Sequence, residues 1–240
     1  MILDGKRVLI TGGARRIGAA VARRLAAAGC RVALHCRHSA AEGKTLLSSL
    51  PGAGHTLHVL DLVPPDAPEK LCAEIGRFEL LVNNAACYFR PGSPEDLAAA
   101  ALYGRLNYEV PRELLRRFAA QNLAEGAAVN MVDCSVLAPG EGAYHAAKLA
   151  LARLTETLAL EWGERGLRVN AVAPGAVLPP HWAPGSAMTG ILAAAPLHRA
   201  VSPEEIAELT EFLLRTDSMT GAIVPIDGAL HLARRRPPRP

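Results

Sequence analysis

Two side chains that can carry acid–base chemistry, Tyr144 and Lys148, lie four residues apart in a segment with helical periodicity. Residues at this spacing share one face of a helix, so the phenol and the amine would lie close together. A free phenol has a pKa of about 10, and a neighbouring ammonium group favours its ionised form. We therefore interpret Tyr144 as a proton donor that works near neutral pH beside a cation. A tyrosine and a lysine that merely share a helix surface are the alternative.

A glycine-rich turn near the start of the chain predicts a dinucleotide site. The segment Thr-Gly-Gly-Ala-Arg-Arg-Ile-Gly, residues 11–18, follows an apolar run and opens an amphipathic segment. Gly12, Gly13 and Gly18 allow a tight turn from strand to helix. The free N–H groups and the positive end of that helix can receive a pyrophosphate. A plain strand-to-helix turn is the alternative.

The residues after the second apolar run distinguish between the two nicotinamide dinucleotides. Enzymes that bind NAD usually place a carboxylate there for the ribose hydroxyls, and Cys36-Arg37-His38-Ser39 contains none. Arg37 can form a forked contact with a phosphate, Ser39 can donate a hydrogen bond, and Arg15 can approach from the glycine turn. The sequence therefore predicts NADPH rather than NADH as cofactor, with surface-exposed arginines as the alternative.

Short apolar runs alternate with segments of helical period along the chain. Strands that are buried on both faces give such runs, so the alternation predicts a single-domain α/β fold, a Rossmann-type doubly wound parallel sheet of about seven strands with helices on both faces. Ser202-Pro203-Glu204-Glu205 predicts a capped helix start. The predicted strands are Val8–Ile10, Val32–His35, Thr56–Leu60, Leu80–Asn83, Ala127–Val132, Arg168–Ala173 and Ile223–Ile226, and the predicted helices include Ala19–Ala28, Leu97–Gln121 and Tyr144–Gly163.

Length and charge limit the classes of partner. The chain has 240 residues, half of them hydrophobic, which is a common size for one α/β domain. We predict a domain over residues 1–233 and a basic, proline-rich, disordered tail over residues 234–240. Outside the four tail arginines the chain has 22 basic against 23 acidic residues, so no basic face for nucleic acid or anionic lipid is indicated. The tail could instead reach a neighbouring subunit's site.

Cysteine usage and hydropathy indicate a soluble, cytoplasmic protein. The chain has five cysteines, an odd count, with no Cys-x-x-Cys pair. We expect buried free thiols in a reducing compartment and no metal site. No signal peptide precedes the first strand, and no apolar stretch approaches the roughly 18 residues that a membrane span needs. The segment Pro179–Leu197, rich in Pro, Gly and Ala and containing His181-Trp182, is interpreted as a mobile flap over the site.

In their order these motifs resemble the short-chain dehydrogenase/reductase family, from Met1 to about Ala233. The matching pieces are Thr11–Gly18, Asp61-Leu62, Asn83-Asn84-Ala85, Asn107, Tyr144-x-x-x-Lys148 and Pro174-Gly175. The resemblance implies that Asp61 holds the adenine, Lys148 the nicotinamide ribose and Asn107 a water in a proton relay. The cofactor-binding residues are then expected to be Gly12, Arg15, Arg16, Ile17, Gly18, Arg37, His38, Ser39, Asp61, Leu62, Asn84, Ala85, Lys148, Pro174 and Gly175. It also implies a homotetramer built on the helices Leu97–Gln121 and Tyr144–Gly163.

Two departures from the family pattern resemble pteridine reductases. Arg16 stands where most members carry a glycine, and Asp133 stands where they carry a serine. Residues 34–42 and 196–199 also resemble that subgroup, and Tyr88 falls where its members place an aromatic ring against the pterin. A carboxyl group can protonate a ring nitrogen, whereas a hydroxyl suits a carbonyl oxygen. The residues expected to bind substrate are Arg16, Tyr88, Asp133 and Tyr144.

These residues predict an NADPH-dependent reductase that delivers hydride to a C=N bond of a pterin or dihydropterin, with Tyr144, Lys148, Asp133 and Asn107 as the catalytic set. Asp133 and Tyr144 are eleven residues apart, two fewer than is usual in the family, so Ser135 competes with Asp133 for the catalytic position. A carbonyl reductase acting on a ketone or 3-oxoacyl substrate is the alternative. A non-catalytic NADPH-binding regulator is a further one, which the presence of both tyrosine and lysine disfavours.

Overall fold

The apolar runs form seven parallel strands of one sheet in the computed structural model, which describes residues 1–179 and 186–235. The strands are β1 (Arg7–Ile10), β2 (Arg31–Cys36), β3 (Thr56–Val59), β4 (Leu80–Asn83), β5 (Gly126–Met131), β6 (Leu167–Pro174) and β7 (Ile223–Ile226). Their spatial order is β3-β2-β1-β4-β5-β6-β7. The chain therefore winds outward in both directions from β1 and β4, and the predicted doubly wound fold is confirmed.

Helices cover both faces of this sheet. They are α1 (Arg16–Ala27), α2 (Ala40–Ser49), α3 (Ala67–Ile75), α4 (Pro94–Ala98), α5 (Ala100–Gly104), α6 (Val110–Ala119), α7 (Gly142–Trp162), α8 (Ser186–Ala194), α9 (Pro203–Arg215) and α10 (Leu230–Arg234). Val8 and Ile10 of β1 face the core shared with α1 and α9, whereas Leu9 faces the core shared with α3, α6 and α7. Alternate residues of a strand point to opposite faces, so a strand covered on both faces is expected to be mostly apolar.

The helix predicted over Leu97–Gln121 is interrupted, which corrects the sequence prediction. α4, α5 and α6 are separate, and a π-helical turn (Arg105–Glu109) lies between the last two. In that turn the N–H of Val110 donates to the carbonyl of Arg105, five residues back. Pro111 follows directly and has no N–H with which to continue the α-helical ladder. Turns of this kind are frequent at functional sites.

The segment predicted as a flap, Pro179–Leu197, contains helix α8. Residues 188–195 are alanine, leucine, isoleucine, methionine, one threonine and one glycine, a composition in which the strong helix formers outweigh the glycine. The irregular appearance of the segment came from its prolines and glycines. His181 and Trp182 lie outside the described residues.

Two residues that the sequence analysis assigned to the tail, Arg234 and Arg235, belong to the described part of the chain. Helix α10 includes Arg234, and Arg235 Nε donates to the carbonyl of Leu137 at 2.5 Å. Asp227 anchors the start of α10, because its carboxylate accepts from the N–H groups of Ala229 (3.0 Å) and His231 (2.7 Å). The remaining tail residues, 236–240, lie outside the described residues.

All five cysteines are free thiols. Burial raises the pKa of Cys30 and Cys134 to about 12 and that of Cys72 to about 11. These three thiols therefore stay protonated near neutral pH, as expected of packing residues rather than nucleophiles. Among residues 1–179 and 186–235, no helix combines the length and the hydropathy that a membrane span requires.

Candidate active site

The glycine turn between β1 and α1 packs too closely for side chains at all three of its glycines. A Cβ atom at Gly13 would lie 2.4 Å from Leu34 Cδ1. Gly12 has a left-handed φ of +63°, and a Cβ atom there would lie 3.0 Å from Ala85 Cα. A Cβ atom at Gly18 would lie only 2.4 Å from the carbonyl oxygen of Gly12. Arg16 also adopts a positive φ, +54°. Such a tight turn into a helix N-terminus leaves the backbone open to a pyrophosphate, so the residues present fit a dinucleotide.

The end of β4 is bonded directly to this turn. The Thr11 hydroxyl accepts from the N–H groups of Asn84 and Ala85, both at 3.0 Å. The Asn84 amide in turn donates to the carbonyls of Thr11 and Gly12, both at 2.9 Å. The carboxyl ends of β1 and β4 are thereby held in fixed relation, at the point where the strand order reverses.

A cavity of about 450 Å³ opens over the carboxyl ends of β1, β2 and β4. All the residues expected to bind the cofactor from Gly12 to Ala85 line it. Lys148, Pro174 and Gly175 do not; Gly175 instead packs against Asp227, where a Cβ atom would meet the aspartate Cβ at 2.7 Å. The structure therefore brings most of the predicted cofactor residues into one cavity and leaves the last three outside its lining.

Two arginines form the outer end of this cavity. Arg37 Nε donates to His38 Nε2 at 2.6 Å and lies 3.8 Å from an Asp61 carboxylate oxygen. Arg15 Nη1 lies 3.6 Å from a Glu42 carboxylate oxygen. All four charged side chains are about half exposed, so these ion pairs contribute little to stability. Both guanidinium groups can exchange a carboxylate for a phosphate at small cost.

Arg16 connects the glycine turn to the segment after β6. Its guanidinium donates to the carbonyl of Leu178 at 3.2 Å and to that of Pro179 at 3.1 Å. The same side chain lines the cofactor cavity. Arg16 thus links the lining of the cofactor cavity to residues 178 and 179.

His35 is a site residue that the sequence analysis missed. Its Nδ1 accepts from the N–H of Gly12 at 3.3 Å, and its Nε2 donates to the carbonyl of Leu60 at 2.8 Å. Burial lowers the pKa of this imidazole, so the ring is neutral and one tautomer serves both bonds. A histidine inside an otherwise apolar strand was the available signal. The His35 side chain thus connects the glycine turn to the end of β3.

Lys148 and Tyr144 share one face of α7, as predicted. Lys148 is buried, its Nζ donates to the carbonyl of Met131 at 2.8 Å, and burial lowers its pKa to about 8. Burial, with the charge of Asp133, raises the pKa of Tyr144 well above its ordinary value. In the protein alone, desolvation rather than the lysine determines the direction of the shift in the phenol pKa. The phenol keeps its proton at neutral pH.

The charge of Asp133 acts on the tyrosine, whereas Ser135 contacts a different residue. After burial, the negative charge of Asp133 contributes to the raised pKa values of Tyr144 and Tyr88 and partly offsets the lowering of the pKa of Lys148, whereas Ser135 Oγ lies 3.4 Å from His145 Nδ1. The aspartate is fixed by a local turn, in which Oδ1 accepts from the N–H of Ser135 at 2.8 Å. The structure thus brings together the phenol, the amine and the carboxylate.

Asn107 uses its whole side-chain amide on another residue. Its Oδ1 accepts from the N–H of Cys87 and its Nδ2 donates to the carbonyl of Cys87, both at 3.1 Å. The side chain is fully buried in the π-helical turn. The water that the family resemblance implies at Asn107 stays a prediction.

Two aromatic rings flank Tyr144. The Tyr88 ring centroid lies 4.7 Å from that of Tyr144, and Tyr88 is 45% exposed. Tyr103 meets Tyr144 edge-on, with centroids 5.6 Å apart at 74°. The sequence analysis missed Tyr103, because a buried tyrosine in a helix gives the same pattern as any core residue.

Comparison with known proteins agrees with this geometry. A family model described as enoyl-(acyl carrier protein) reductase matches residues 12–231. The chain belongs to the short-chain dehydrogenase/reductase family. Its relatives in this family are oxidoreductases, and the shared cavity and motifs make this chain an oxidoreductase with a nicotinamide cofactor.

Similar members of this short-chain dehydrogenase/reductase family differ in their named substrates. The chain is 33% identical to glucose 1-dehydrogenase of Gluconobacter oxydans, with 95% of this chain and 92% of the relative covered. It is 32% identical to pteridine reductase 1 of Leishmania tarentolae, with 94% and 96% covered. FolM alternative dihydrofolate reductase 1 from Brucella suis, solved in complex with NADP, superposes with a TM-score of 0.85 at 30% identity over 97% of both chains.

Proposed function

We propose that the protein is an NADPH-dependent reductase that delivers hydride to a C=N bond of a pterin or dihydropterin. The observation that carries the proposal is the Asp133 carboxylate beside Tyr144 and Lys148. A carboxyl group can bond to and protonate a ring nitrogen, which a serine hydroxyl does poorly. Similarity to pteridine reductase 1 and to the NADP complex of FolM supports the proposal.

Each side chain has a distinct task in this reaction. The nicotinamide of the cofactor supplies the hydride when bound. Tyr144, whose raised pKa retains the proton, donates to the ring nitrogen the one proton that accompanies the hydride, and Asp133 orients the ring by a hydrogen bond and so assists this protonation. Lys148 holds the ribose, and the half-exposed Tyr88 provides an aromatic face on which a flat heterocycle can stack.

The preference for NADPH rests on charge at the outer end of the cavity. Arg15 and Arg37 both line it, together with His38 and Ser39. An arginine fork matches the geometry of a phosphate, and the carboxylates paired with these arginines, Asp61 and Glu42, are half exposed and easily displaced. This arrangement suits the 2′-phosphate of NADPH better than the ribose hydroxyls of NADH.

Kinetics with a substrate panel test the proposal. Purified protein with NADPH should turn over dihydrobiopterin, dihydromonapterin or folate. Asp133→Ser should lower kcat/KM for the pterin at least tenfold, the scale of a lost proton-transfer partner. Ser135→Ala is the matched control and should leave pterin turnover nearly unchanged. Failure with all three pterins, alongside brisk turnover of a sugar or ketone, would refute the pterin assignment.

A carbonyl reductase is the second candidate. The similarity to glucose 1-dehydrogenase, whose name indicates a sugar substrate, is as close as that to pteridine reductase 1. In this case Ser135 would turn from His145 toward the carbonyl oxygen. Turnover of glucose or xylulose that Ser135→Ala abolishes and Asp133→Ser preserves would favour this candidate.

A further inference from the structure

Four hydrogen bonds fix the segment that carries Tyr88, residues 87–92, which we call the wall segment. Asn107 binds both the N–H and the carbonyl of Cys87. The N–H of Phe89 donates to the Tyr103 hydroxyl at 3.1 Å, and the N–H of Gly92 donates to Asp96 Oδ2 at 2.9 Å. Tyr88 therefore lies between two backbone positions that are individually anchored.

One hydroxyl group joins two of these anchors. The Tyr103 hydroxyl accepts from Phe89 and donates to Asp96 Oδ1 at 2.6 Å. The Tyr103 side chain is almost completely buried, at 1% exposed. Burial, with the bond to Asp96, raises its pKa to about 12, so the hydroxyl remains a donor throughout the physiological range.

The Tyr103 ring also contacts the catalytic tyrosine. Its edge packs on Tyr144, and its centroid lies 5.9 Å from that of Phe89. The Tyr88 ring in turn packs on Tyr144, with the centroids 4.7 Å apart. Tyr103 therefore touches the proton donor and also bonds to the backbone of Phe89, next to the ring that is expected to face the substrate. A displacement of Tyr103 would change the surroundings of Tyr144 and the position of Tyr88 at once.

Neither Tyr103 nor Asp96 is explained by packing or capping alone. A phenylalanine would fill the same apolar space as the Tyr103 ring without placing a hydroxyl there. The start of α4 already has its cap, because Ser93 Oγ accepts from the N–H of Asp96 at 3.2 Å. The Asp96 carboxylate is therefore available for the wall segment, where both of its oxygens are used.

We propose that Tyr103, oriented by Asp96, is a positioning residue that holds Tyr88 against Tyr144 and so determines how tightly a flat substrate binds. This inference rests on the proposed roles of Tyr88 and Tyr144. It assigns no contact between Tyr103 and the substrate. Its effect should be confined to the substrate end of the site, because the wall segment beyond Cys87 does not line the cofactor cavity.

Tyr103→Phe removes the hydroxyl and keeps the ring. We expect the KM of the substrate that the wild type turns over to rise about tenfold, which a loss of about 1.4 kcal/mol would produce, while kcat changes less than threefold. The NADPH dissociation constant should stay within twofold. Amide hydrogen exchange at Phe89 and Gly92 should accelerate. The matched control is Tyr108→Phe, a tyrosine of the π-helical turn that faces Arg112, for which none of these quantities should change.

Two results would overturn the inference. One is unchanged amide protection at Phe89 in Tyr103→Phe, because the hydroxyl then anchors nothing. The other is faster exchange with an unchanged KM, because the anchor is then irrelevant to binding. If Tyr103→Phe fails to fold, Asp96→Asn is the second variant, because it removes the charged acceptor and keeps Tyr103. It should raise KM in the same direction by a smaller factor. An unchanged KM in Asp96→Asn also overturns the inference.

The outcome is distinguishable from failure of the proposed function. A wild type that reduces only sugars or ketones refutes the pterin assignment, but a raised KM for that carbonyl substrate in Tyr103→Phe still supports the positioning role. Pterin turnover with an unchanged KM in the variant supports the assignment and removes the positioning role. A wild type without turnover leaves the exchange rate at Phe89 as the deciding measurement.

Discussion

At the scale of single residues, the site depends on which charges are buried and which are free to change partners. Arg37 is half exposed and only loosely paired with Asp61, whereas Lys148 is buried on the carbonyl of Met131. The Arg37 side chain can therefore rearrange to bind a phosphate, whereas Lys148 stays in place and can only lose its charge by deprotonation. Different experiments follow for the two residues.

Arg37→Asp should weaken NADPH binding about 100-fold and NADH binding much less. The change removes a charge-assisted bond to phosphate and adds a repelling carboxylate, and bonds to charged groups contribute about 1.5–3 kcal/mol. Dissociation constants for both dinucleotides measure the effect. Arg23→Asp, a charge reversal on the exposed side of α1, is the control and should change neither. Equal losses for both dinucleotides would contradict the assignment of Arg37.

Lys148 should give the activity an alkaline limit. Its pKa is lowered to about 8 by burial, so the ammonium loses its charge as the pH rises through that value, while Tyr144, with its raised pKa, stays protonated. We expect kcat/KM to fall above pH 8. In Lys148→Arg the guanidinium stays charged, so the alkaline limb should move upward even if the rate is lower. A pH–rate profile of both proteins measures this, and an identical limb in the variant would assign it to another group.

At the scale of elements, what the sequence could predict depended on whether local pattern or distant contact decides the structure. The strands lie where the apolar runs predicted them, because strands such as β4 and β6 are buried on both faces and are mostly apolar. The polar residues of β6, Arg168 and Asn170, donate to backbone carbonyls inside the core. The capping box of α9 was readable because Ser202 and Glu205 satisfy each other locally. The break before α6 could not be read from the sequence, since the helical periodicity of this segment continues through Pro111.

The strand–turn–helix unit of the cofactor site can be tested through its closest contact. Gly18→Ala would place a Cβ atom 2.4 Å from a backbone oxygen, so the turn must shift. We expect NADPH binding to be lost and the free energy of unfolding to fall by about 1–3 kcal/mol, the usual cost of overpacking. Dinucleotide titration and denaturant unfolding measure the two effects.

Gly104→Ala is the matched control for this substitution. A Cβ atom there meets nothing within 4 Å, and alanine in place of a helical glycine stabilises by roughly 0.5–1 kcal/mol. NADPH binding should be unchanged in this variant. Equal effects of the two substitutions would show that backbone entropy, rather than the contact with Gly12, governs the turn.

At the scale of the whole molecule, one edge of the sheet collects residues that are distant in sequence. Thr11 follows β1, Arg37 follows β2, Asp61 follows β3, Asn84 follows β4 and Asp133 follows β5. In a parallel sheet all these carboxyl ends meet at the same edge. The site was therefore largely predictable once the strands were placed. The sequence analysis missed Tyr103 and His35 because they lie inside a helix and a strand, where a buried side chain with a polar role gives the same sequence pattern as a packing residue.

The outer surface of α7 supports the expectation of a homotetramer, which we now propose. Ala147 and Ala152 are buried in the protein's own core, so they offer nothing to a partner. Ala146 and Ala150 face outward, and Leu160 on the same side of the helix is 87% exposed. Small residues with an exposed leucine suit close packing against the same helix of a second copy.

Sedimentation velocity of the wild type should then show a tetramer. Leu160→Asp should shift the distribution toward dimers or monomers, because burying an unpaired carboxylate at a helix–helix contact is strongly unfavourable. Ile2→Asp changes another exposed apolar residue, at the opposite end of the chain and 79% exposed, and should leave the distribution as it is. Since Tyr144 and Lys148 lie on the same helix, kcat/KM should fall together with assembly only if the contact also steadies the start of α7. A wild type that sediments only as a monomer would end the proposal, and a tetramer unaffected by Leu160→Asp would place the interface elsewhere.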